Sequence, residues 1–431
     1  RHLATGPVAM ASLISAAAVT PLAVPGSEQF IGLSILLAVL VGVLRLLLGL
    51  LRLGLLVNLL SAPVVTGFTN AAALIIATSQ MHHVLGVTAE RGGYHFETVA
   101  QVLHSAWQAV HVPTLGMALL AGLILLGLRR RFEKVLIVVV VTTAVSWALG
   151  YTGEVVGEIP RGLPAFALPT FDGDVAMALL PGAVVLTLIG LMEAMSIAKT
   201  IATRSKQHID VNQELIGQGL SNLAGGLFGS YAVSGSFSRS AINFDNGGAT
   251  GLSSAVTSAV VMLTLLLLTS LFFYLPQATL AMIIILAVLS LVRVDPIRQA
   301  WRVSRGDGVV AALTFVVTLA LAPQLHWGII VGVSLSMAQY LYRTMRPHVA
   351  YLARHPDGAL VDADTHGLAL DTRIAIIRFD GRLYFGAASF FEDKVLEALA
   401  RMPDLRYLIL DAGGINQIDA TGVLTLRRVV Q

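Results

Sequence analysis

Long, uninterrupted apolar runs limit what this chain can become. Phe30 to Leu51, Leu252 to Tyr274, and Ala311 to Ala322 with its continuation are dominated by apolar residues, and Arg45 is the one charged residue among the three runs. About 20 such residues in a helix cross the roughly 30 Å of hydrocarbon in a bilayer, whereas strands of a membrane barrel would alternate in short segments. The chain therefore reads as a helical, multi-pass membrane protein. Its charge content agrees: 12% of residues are charged and the mean hydropathy is +0.79, against about 25% charged residues in soluble domains. A net charge of +3 gives no argument for a nucleic-acid partner. With no cysteine, disulfides and thiolate metal centres are excluded. Only 4 of the 28 basic residues are lysine, which together with the Ala, Leu and Gly richness points to a bacterial source.

Hydropathy and breaker residues predict helices at 6–19, 30–51, 55–83, 113–130, 133–150, 176–203, 211–231, 235–246, 251–274, 277–304, 307–322 and 328–347. Two of these, 6–19 and 235–246, are too short to span. Gly6-Pro7 opens the first, and Gly235 with its flanking serines opens the second. Short, interrupted segments at matching places in two halves are the mark of inverted-repeat transporters with a binding site at the midplane. The chain opens at Arg1 without a methionine and stops at Gln431 inside a helical pattern, so both ends read as cut from a longer protein.

Basic residues orient the threading. Arg129, Arg130, Arg131, Lys134, Arg204, Lys206, Arg293, Arg298, Arg302, Arg305, Arg343, Arg346 and Arg354 fall on one side, while the opposite loops 84–97 and 151–175 carry only Arg91 and Arg161. Lys and Arg excess marks the cytoplasmic side, which places the C-terminal region inside the cell. That region changes character. Ile374 to Phe379, Leu383 to Phe385 and Leu405 to Asp411 read as strands, and Phe390 to Arg401 and Thr421 to Val430 as helices, a small α/β domain.

Four motifs then support a family resemblance. They are Gly67-Phe68-Thr69-Asn70-Ala71-Ala72-Ala73, Glu193-Ala194-Met195-Ser196-Ile197-Ala198-Lys199, Asn212-Gln213-Glu214, and Gly235-Ser236-Phe237-Ser238-Arg239-Ser240. In this order they resemble the SulP sulfate permease family, solute carrier family 26, and the tail resembles the STAS domain that the family carries. The resemblance implies a polytopic all-α fold of two inverted sevens, like that of uracil permeases, divided into a core domain and a gate domain. The twelve helices then read as five plus seven, with the family's first two absent. It divides the chain into a transmembrane transport domain at 1–348, a linker at 349–370 and a truncated, cytoplasmic STAS domain at 371–431. It further implies a multi-pass protein of the cell (inner) membrane and a homodimer, with STAS binding cytoplasmic regulatory proteins. Soluble STAS regulators are phosphorylated on the residue after an Asp that corresponds to Asp419; here that residue is Ala420, and Thr421 reads as a helix cap.

The candidate site follows from helix physics. Two helix N-termini, each carrying about half a positive charge, form an anion site when they converge. The substrate-binding candidates are Gly6, Pro7 and Val8 on one side and Ser236, Phe237, Ser238 and Arg239 on the other. Glycines admit close backbone approach, hydroxyls cap or donate, and Arg239 attracts carboxylate, sulfate or bicarbonate. Alternatively the small residues serve helix packing, and Arg239 is a structural partner of Glu193 or Asp245. Glu193, after the apolar run ending at Met192, is the candidate for proton coupling. Ile197, one turn on, cannot ligate sodium, so protons are favoured over sodium. Arg45 and Arg52 read as snorkelling toward a helix end, and Asn58, Asn70 and Gln80 as interhelical hydrogen bonders. No metal or other cofactor is assigned, and no nucleophile–base pair or phosphate loop argues for an enzyme. The expected function is proton-coupled symport of a small anion: sulfate, bicarbonate or a dicarboxylate. The alternatives are an uncoupled anion channel or exchanger, or a charge-driven motor protein. A nucleobase permease on the same fold is disfavoured by the arginine and the STAS tail.

Overall fold

The computed structural model describes residues 3–54, 61–88, 94–128, 134–159, 162, 166, 172–206, 209–248, 250–289, 292–322 and 324–430. It forms two compact units, Arg1–Ser334 and Leu335–Gln431. In the first, the elements in order are β1 (Thr5–Gly6), α1 (Ala9–Val19), α2 (Glu28–Leu50), α3 (Ala62–Ser79), α4 (Met81–Leu85), α5 (His95–Gln108), α6 (Val112–Gly127), α7 (Lys134–Ala148), α8 (Gly173–Ser205), α9 (Val211–Leu227), β2 (Ser234–Gly235), α10 (Phe237–Asp245), α11 (Leu252–Leu267), α12 (Gln277–Leu289), α13 (Asp295–Val303), α14 (Arg305–Ala320) and the first part of α15 (His326–Met345).

Helix boundaries follow local chemistry. Ser27 caps α2, its hydroxyl accepting from Phe30 N at 3.1 Å, and the 23 residues that follow reach across a bilayer. Ala62–Leu85 and Gly173–Met195 are also long and apolar enough to cross, while α5 and α6 form a pair bent by 114°. The apolar helices α7, α11 and α12 are shorter, at 15, 16 and 13 residues. Some of the missing length lies in other conformations. A 3-10 turn at Thr269–Phe272 follows α11, and ahead of α12 the chain is extended, with a bridge between Val155 and Pro276. The single helix expected over 277–304 divides into α12 and α13, and Pro296 sits in the first turn of α13, where its missing N–H leaves no helical bond unmade. No helix was expected over His95–Gln108; it is amphipathic and lacks the continuous apolar run of a span. Glu97 reaches back to accept from Tyr94 N at 3.1 Å and fixes its start.

The helices of this unit pack in two sets. In one, α2 runs along α9 and α8, α1 lies on α8 and α2, and α10 lies on α8. In the other, α3 joins α14 and α12, and α6 joins α12 and α7. Small residues bring the backbones together in both. A Cβ on Gly42 or Gly49 of α2 would lie 2.9 Å from Leu223 N or 2.8 Å from Asn212 O, and one on Gly67 of α3 would lie 2.3 Å from Ala311 O of α14.

The second unit holds the end of α15, then β3 (His348–Arg354), β4 (Leu360–Asp362), α16 (Ala363–His366), β5 (Ile374–Leu383), α17 (Phe385–Arg401), β6 (Tyr407–Asp411), β7 (Ile415–Ile418) and α18 (Ala420–Val430). The sheet order is β4-β3-β5-β6, with β7 pairing β5. β3 is antiparallel to β5, from His348 opposite Asp380 to Leu352 opposite Ile376, whereas β5 and β6 are parallel. The stretch 349–370, expected as a linker, thus supplies two strands and a helical turn. Ala350, Tyr351 and Leu352, three in a row, are buried, so both faces of β3 are covered at its centre. Phe379, Leu383, Ala387, Phe391 and Val395 form the core between β5 and α17.

Candidate functional site

The two short segments meet. β1 and β2 pair antiparallel, Thr5 opposite Gly235 and Gly6 opposite Ser234. Ser236 N donates to Ala4 O at 2.9 Å, and Ala4 N donates to the Ser240 hydroxyl at 2.9 Å. A backbone clip therefore holds the beginning of α1 beside the beginning of α10. The two ends differ in their caps. At α10 the Ser236 hydroxyl accepts from Arg239 N at 3.4 Å, while at α1 the cap residue Val8 has an extended backbone and no side-chain cap. Pro7, just before it, has no N–H to contribute.

Arg239 bridges the two segments. Its Nη2 donates to the Pro7 carbonyl at 2.8 Å, and a Cβ on Gly6 would stand 3.0 Å from the same nitrogen. Gly6 is thus where the guanidinium rests on backbone. Ala4, Thr5, Gly6, Pro7 and Arg239 line a cavity of about 900 Å³ whose far wall is α11, through residues such as Thr257 and Met262. The side chains of Phe237, Ser238, Ser196 and Asp245 lie outside the described residues, as do Asn58, Arg129, Arg130 and Arg131. Of the two carboxylates expected as structural partners of Arg239, Asp245 lies outside the described side chains, and among the described ones the guanidinium meets the Pro7 carbonyl rather than Glu193.

Glu193 is half-buried on α8. One turn earlier, Gly190 O accepts from the Ser234 hydroxyl at 3.0 Å, so β2 is tied to the same helix. Arg45 of α2 reaches the same helix, through the carbonyl of Leu186. Arg45 does not snorkel. It is 1% exposed, and its Nη1 donates to Gln218 Oε1 and to Val233 O, both at 3.0 Å, while Nη2 donates to Leu186 O at 3.0 Å. Gly190 leaves room for it, since a Cβ there would be 2.1 Å from Nη2. The charge toward the end of α2 was visible in the sequence; its carbonyl partners, on α8 and in the stretch before β2, come from distant positions and were not.

A family model described as the Sulfate permease family matches residues 1–314. The chain belongs to that family. A model of the STAS domain matches residues 368–431. Among the relatives of the chain is "Sulfate transporter 4.1, chloroplastic" of Arabidopsis thaliana, 33% identical over 461 residues that cover 100% of the chain and 66% of the relative. Another is "Solute carrier family 26 member 6" of Homo sapiens, 31% identical over 377 residues, 83% of the chain and 49% of the relative. The chain thus spans just under two thirds of the length of the first of these and about half of the second. Murine Solute Carrier 26 family member A9, solved in an inward-facing state, has a TM-score of 0.85 at 24% identity, covering 99% of the chain and 75% of that structure. The transmembrane domain of the cyanobacterial bicarbonate transporter BicA has a TM-score of 0.66 at 25% identity, covering 77% and 84%. The fold is therefore that of a sulfate permease, consistent with two inverted sevens, with a STAS domain; the named relatives are transporters.

The family motifs have physical roles here. Gly67 admits α14, and Asn70 of the same motif exchanges two hydrogen bonds of 2.8 Å with the backbone of Arg293, the interhelical role expected of it. Asn212 Oδ1 accepts from Gly54 N at 3.0 Å, fixing the end of α2. In the STAS unit, Asp419 takes the capping role expected of Thr421. Its two oxygens accept from Gly422 N at 2.8 Å and Phe385 N at 3.0 Å, which join the starts of α18 and α17.

Proposed function

We propose that the chain is a secondary active transporter that carries a small anion together with a proton by alternating access. The observation that carries this reading is the clip of β1 and β2, which holds two helix N-termini side by side with the Arg239 guanidinium against Gly6 and Pro7 at a cavity wall. An anion there meets two partial positive ends and a planar cation. Sulfate, bicarbonate and dicarboxylates fit that chemistry, and the relatives named above for sulfate and bicarbonate carry anions of this class. Gly6, Pro7, Val8, Ser236, Phe237, Ser238 and Arg239 form the substrate site. Glu193 accepts the proton, one turn from the carbonyl that secures Ser234. The set of α1, α2, α8, α9 and α10 then carries the site past the set of α3, α6, α7, α12 and α14. In this reading the protein sits in a bacterial inner membrane with its STAS unit in the cytoplasm, as a homodimer.

The test is uptake of labelled sulfate, bicarbonate and succinate by the purified protein in liposomes, with pH and sodium gradients imposed separately. Uptake of one of them driven by an inward proton gradient and indifferent to sodium supports symport. Saturable uptake indifferent to both gradients points to the uncoupled channel or exchanger.

A further inference from the structure

The anion site and Glu193 account for one buried arginine's neighbours but not for the arginine itself. Arg45 lies in α2, outside all four family motifs, and is among the largest fully buried side chains of the protein. A charge in that setting survives only where carbonyls and a countercharge replace water. Its acceptors are unusual in where they come from. Leu186 O belongs to α8, two turns before Glu193; Gln218 Oε1 belongs to α9; Val233 O belongs to the stretch that leads directly into β2. Leu186, Gly190 and Glu193 follow at helical spacing on one face of α8. Arg45 therefore touches the face that carries Glu193 and the strand that opens α10.

Val233 is held from both sides. Asn222 Nδ2 donates to its carbonyl at 3.0 Å, and its N–H donates to Asn222 Oδ1 at 2.9 Å. Arg45 supplies the second donor to that carbonyl. The Nε of the guanidinium is buried and has no hydrogen-bond partner among the described residues, so within that set the group is satisfied on two nitrogens and not on the third. It is in this respect an incompletely solvated charge whose energy depends on the nearest acid.

We infer that Arg45 is the fixed countercharge of Glu193 and, through Val233, the positioning residue that makes the seat of the α10 N-terminus respond to whether Glu193 is charged. This rests on the symport reading above. With Glu193 ionised, the arginine has its countercharge and the grip on Val233 is balanced. When Glu193 takes a proton, the buried cation loses that balance and draws harder on its carbonyls, Val233 O among them. The other ionisable groups around it are Glu214 of α9, which reaches it only through Gln218 Nε2 at 3.2 Å, and Arg239 of α10, which is turned to Pro7; α1 carries none. Coupling between proton and anion then runs along the backbone of β2 without contact between Glu193 and Arg239.

The experiment uses the full chain with Arg45→Gln, Arg45→Lys, Glu193→Gln and the double variant Arg45→Gln/Glu193→Gln. Two readouts are taken: thermal unfolding in detergent at neutral pH, and the pH profile and KM of anion uptake in liposomes. In unfolding, Arg45→Gln should lower the midpoint, and Glu193→Gln placed on top should recover at least half of that loss. A double variant that loses the sum of the single losses overturns the countercharge, whatever transport does. In uptake, Arg45→Gln should move the midpoint of the pH profile upward by about one unit or more, since a carboxylate without its cation takes a proton more easily. Arg45→Lys keeps the charge but not the fork, so it should keep the midpoint and raise the KM for the anion several-fold. An unmoved midpoint in Arg45→Gln, or an unchanged KM in Arg45→Lys, overturns the positioning role. If Glu193→Gln leaves the proton stimulus intact, the symport reading fails, and the unfolding cycle still decides the pairing.

Discussion

At the scale of single residues, the proposed site rests chiefly on Arg239 and Glu193. Arg239 gives the cavity wall its cation, so Arg239→Ala should raise the KM for the transported anion roughly tenfold, about 1.4 kcal/mol, with unfolding temperature and membrane insertion little changed. An affinity equal to that of the parent would assign the residue to structure. Glu193→Gln keeps the shape and removes the titratable group. It should abolish accumulation driven by an inward proton gradient while leaving exchange of anions across the membrane, measured as labelled efflux. The polar islands in the apolar runs were legible in the sequence, because an ionisable residue in a span is costly and so conspicuous. What could not be read was the partner. Arg45 stands close to a helix end, and its distance from that end suggested snorkelling; the decisive carbonyls lie 141 and 188 residues further along the chain.

At the scale of elements, helix contacts depend on missing side chains. Gly67 is backed by the carbonyl of Ala311, an atom that cannot swing away. Gly67→Val should therefore pry α3 from α14 and lower stability by about 1–3 kcal/mol or more, visible as an earlier thermal transition of the purified protein. In the STAS unit, hydrogen bonds from the backbone, foremost that of Gly422, hold the Asp419 carboxyl below its usual range. A group whose affinity for protons is lowered by folding stabilises the fold above its unfolded value, near 3.9, and that contribution disappears as pH falls through the folded value. Asp419→Asn should thus weaken amide protection at Phe385 and Gly422 at neutral pH, relative to intrinsic exchange rates. At pH near 2 parent and variant should be alike. Element identity was legible wherever the apolar period was long, as in α2 and α8. It was not in α5, which has a single buried residue, Val102, nor in β3, whose pairing to β5 is a matter of distant register.

For the molecule as a whole, the threading is a separate question from the fold. The residues that suggested it include several outside the described positions, so the orientation calls for its own measurement. A chain without cysteine suits one: a single cysteine can be introduced and its side read by labelling. Asp357→Cys, in the turn closed by His355 N and Ala359 O, should react with a membrane-impermeant maleimide only after the cells are opened. Trp107→Cys, at a residue 90% exposed, should react from outside intact cells. Reversed labelling would invert the topology and with it the direction from which the proton arrives.

The clip between β1 and β2 also bears on how such a protein is made. Its pairings join positions from 228 residues apart, Gly6 opposite Ser234, to 236, Ala4 N on the Ser240 hydroxyl. Pairings of such long range wait on the closure of everything between them. During synthesis α1, of 11 residues and too short to cross the bilayer unaided, emerges before α10, and the strand that completes its beginning is not yet translated. Until α10 arrives, the backbone groups of Thr5 and Gly6 that β2 will pair must be tolerated in some provisional place. The order of synthesis thus leaves the first half of the clip waiting for the second, which lies more than 220 residues further along the chain.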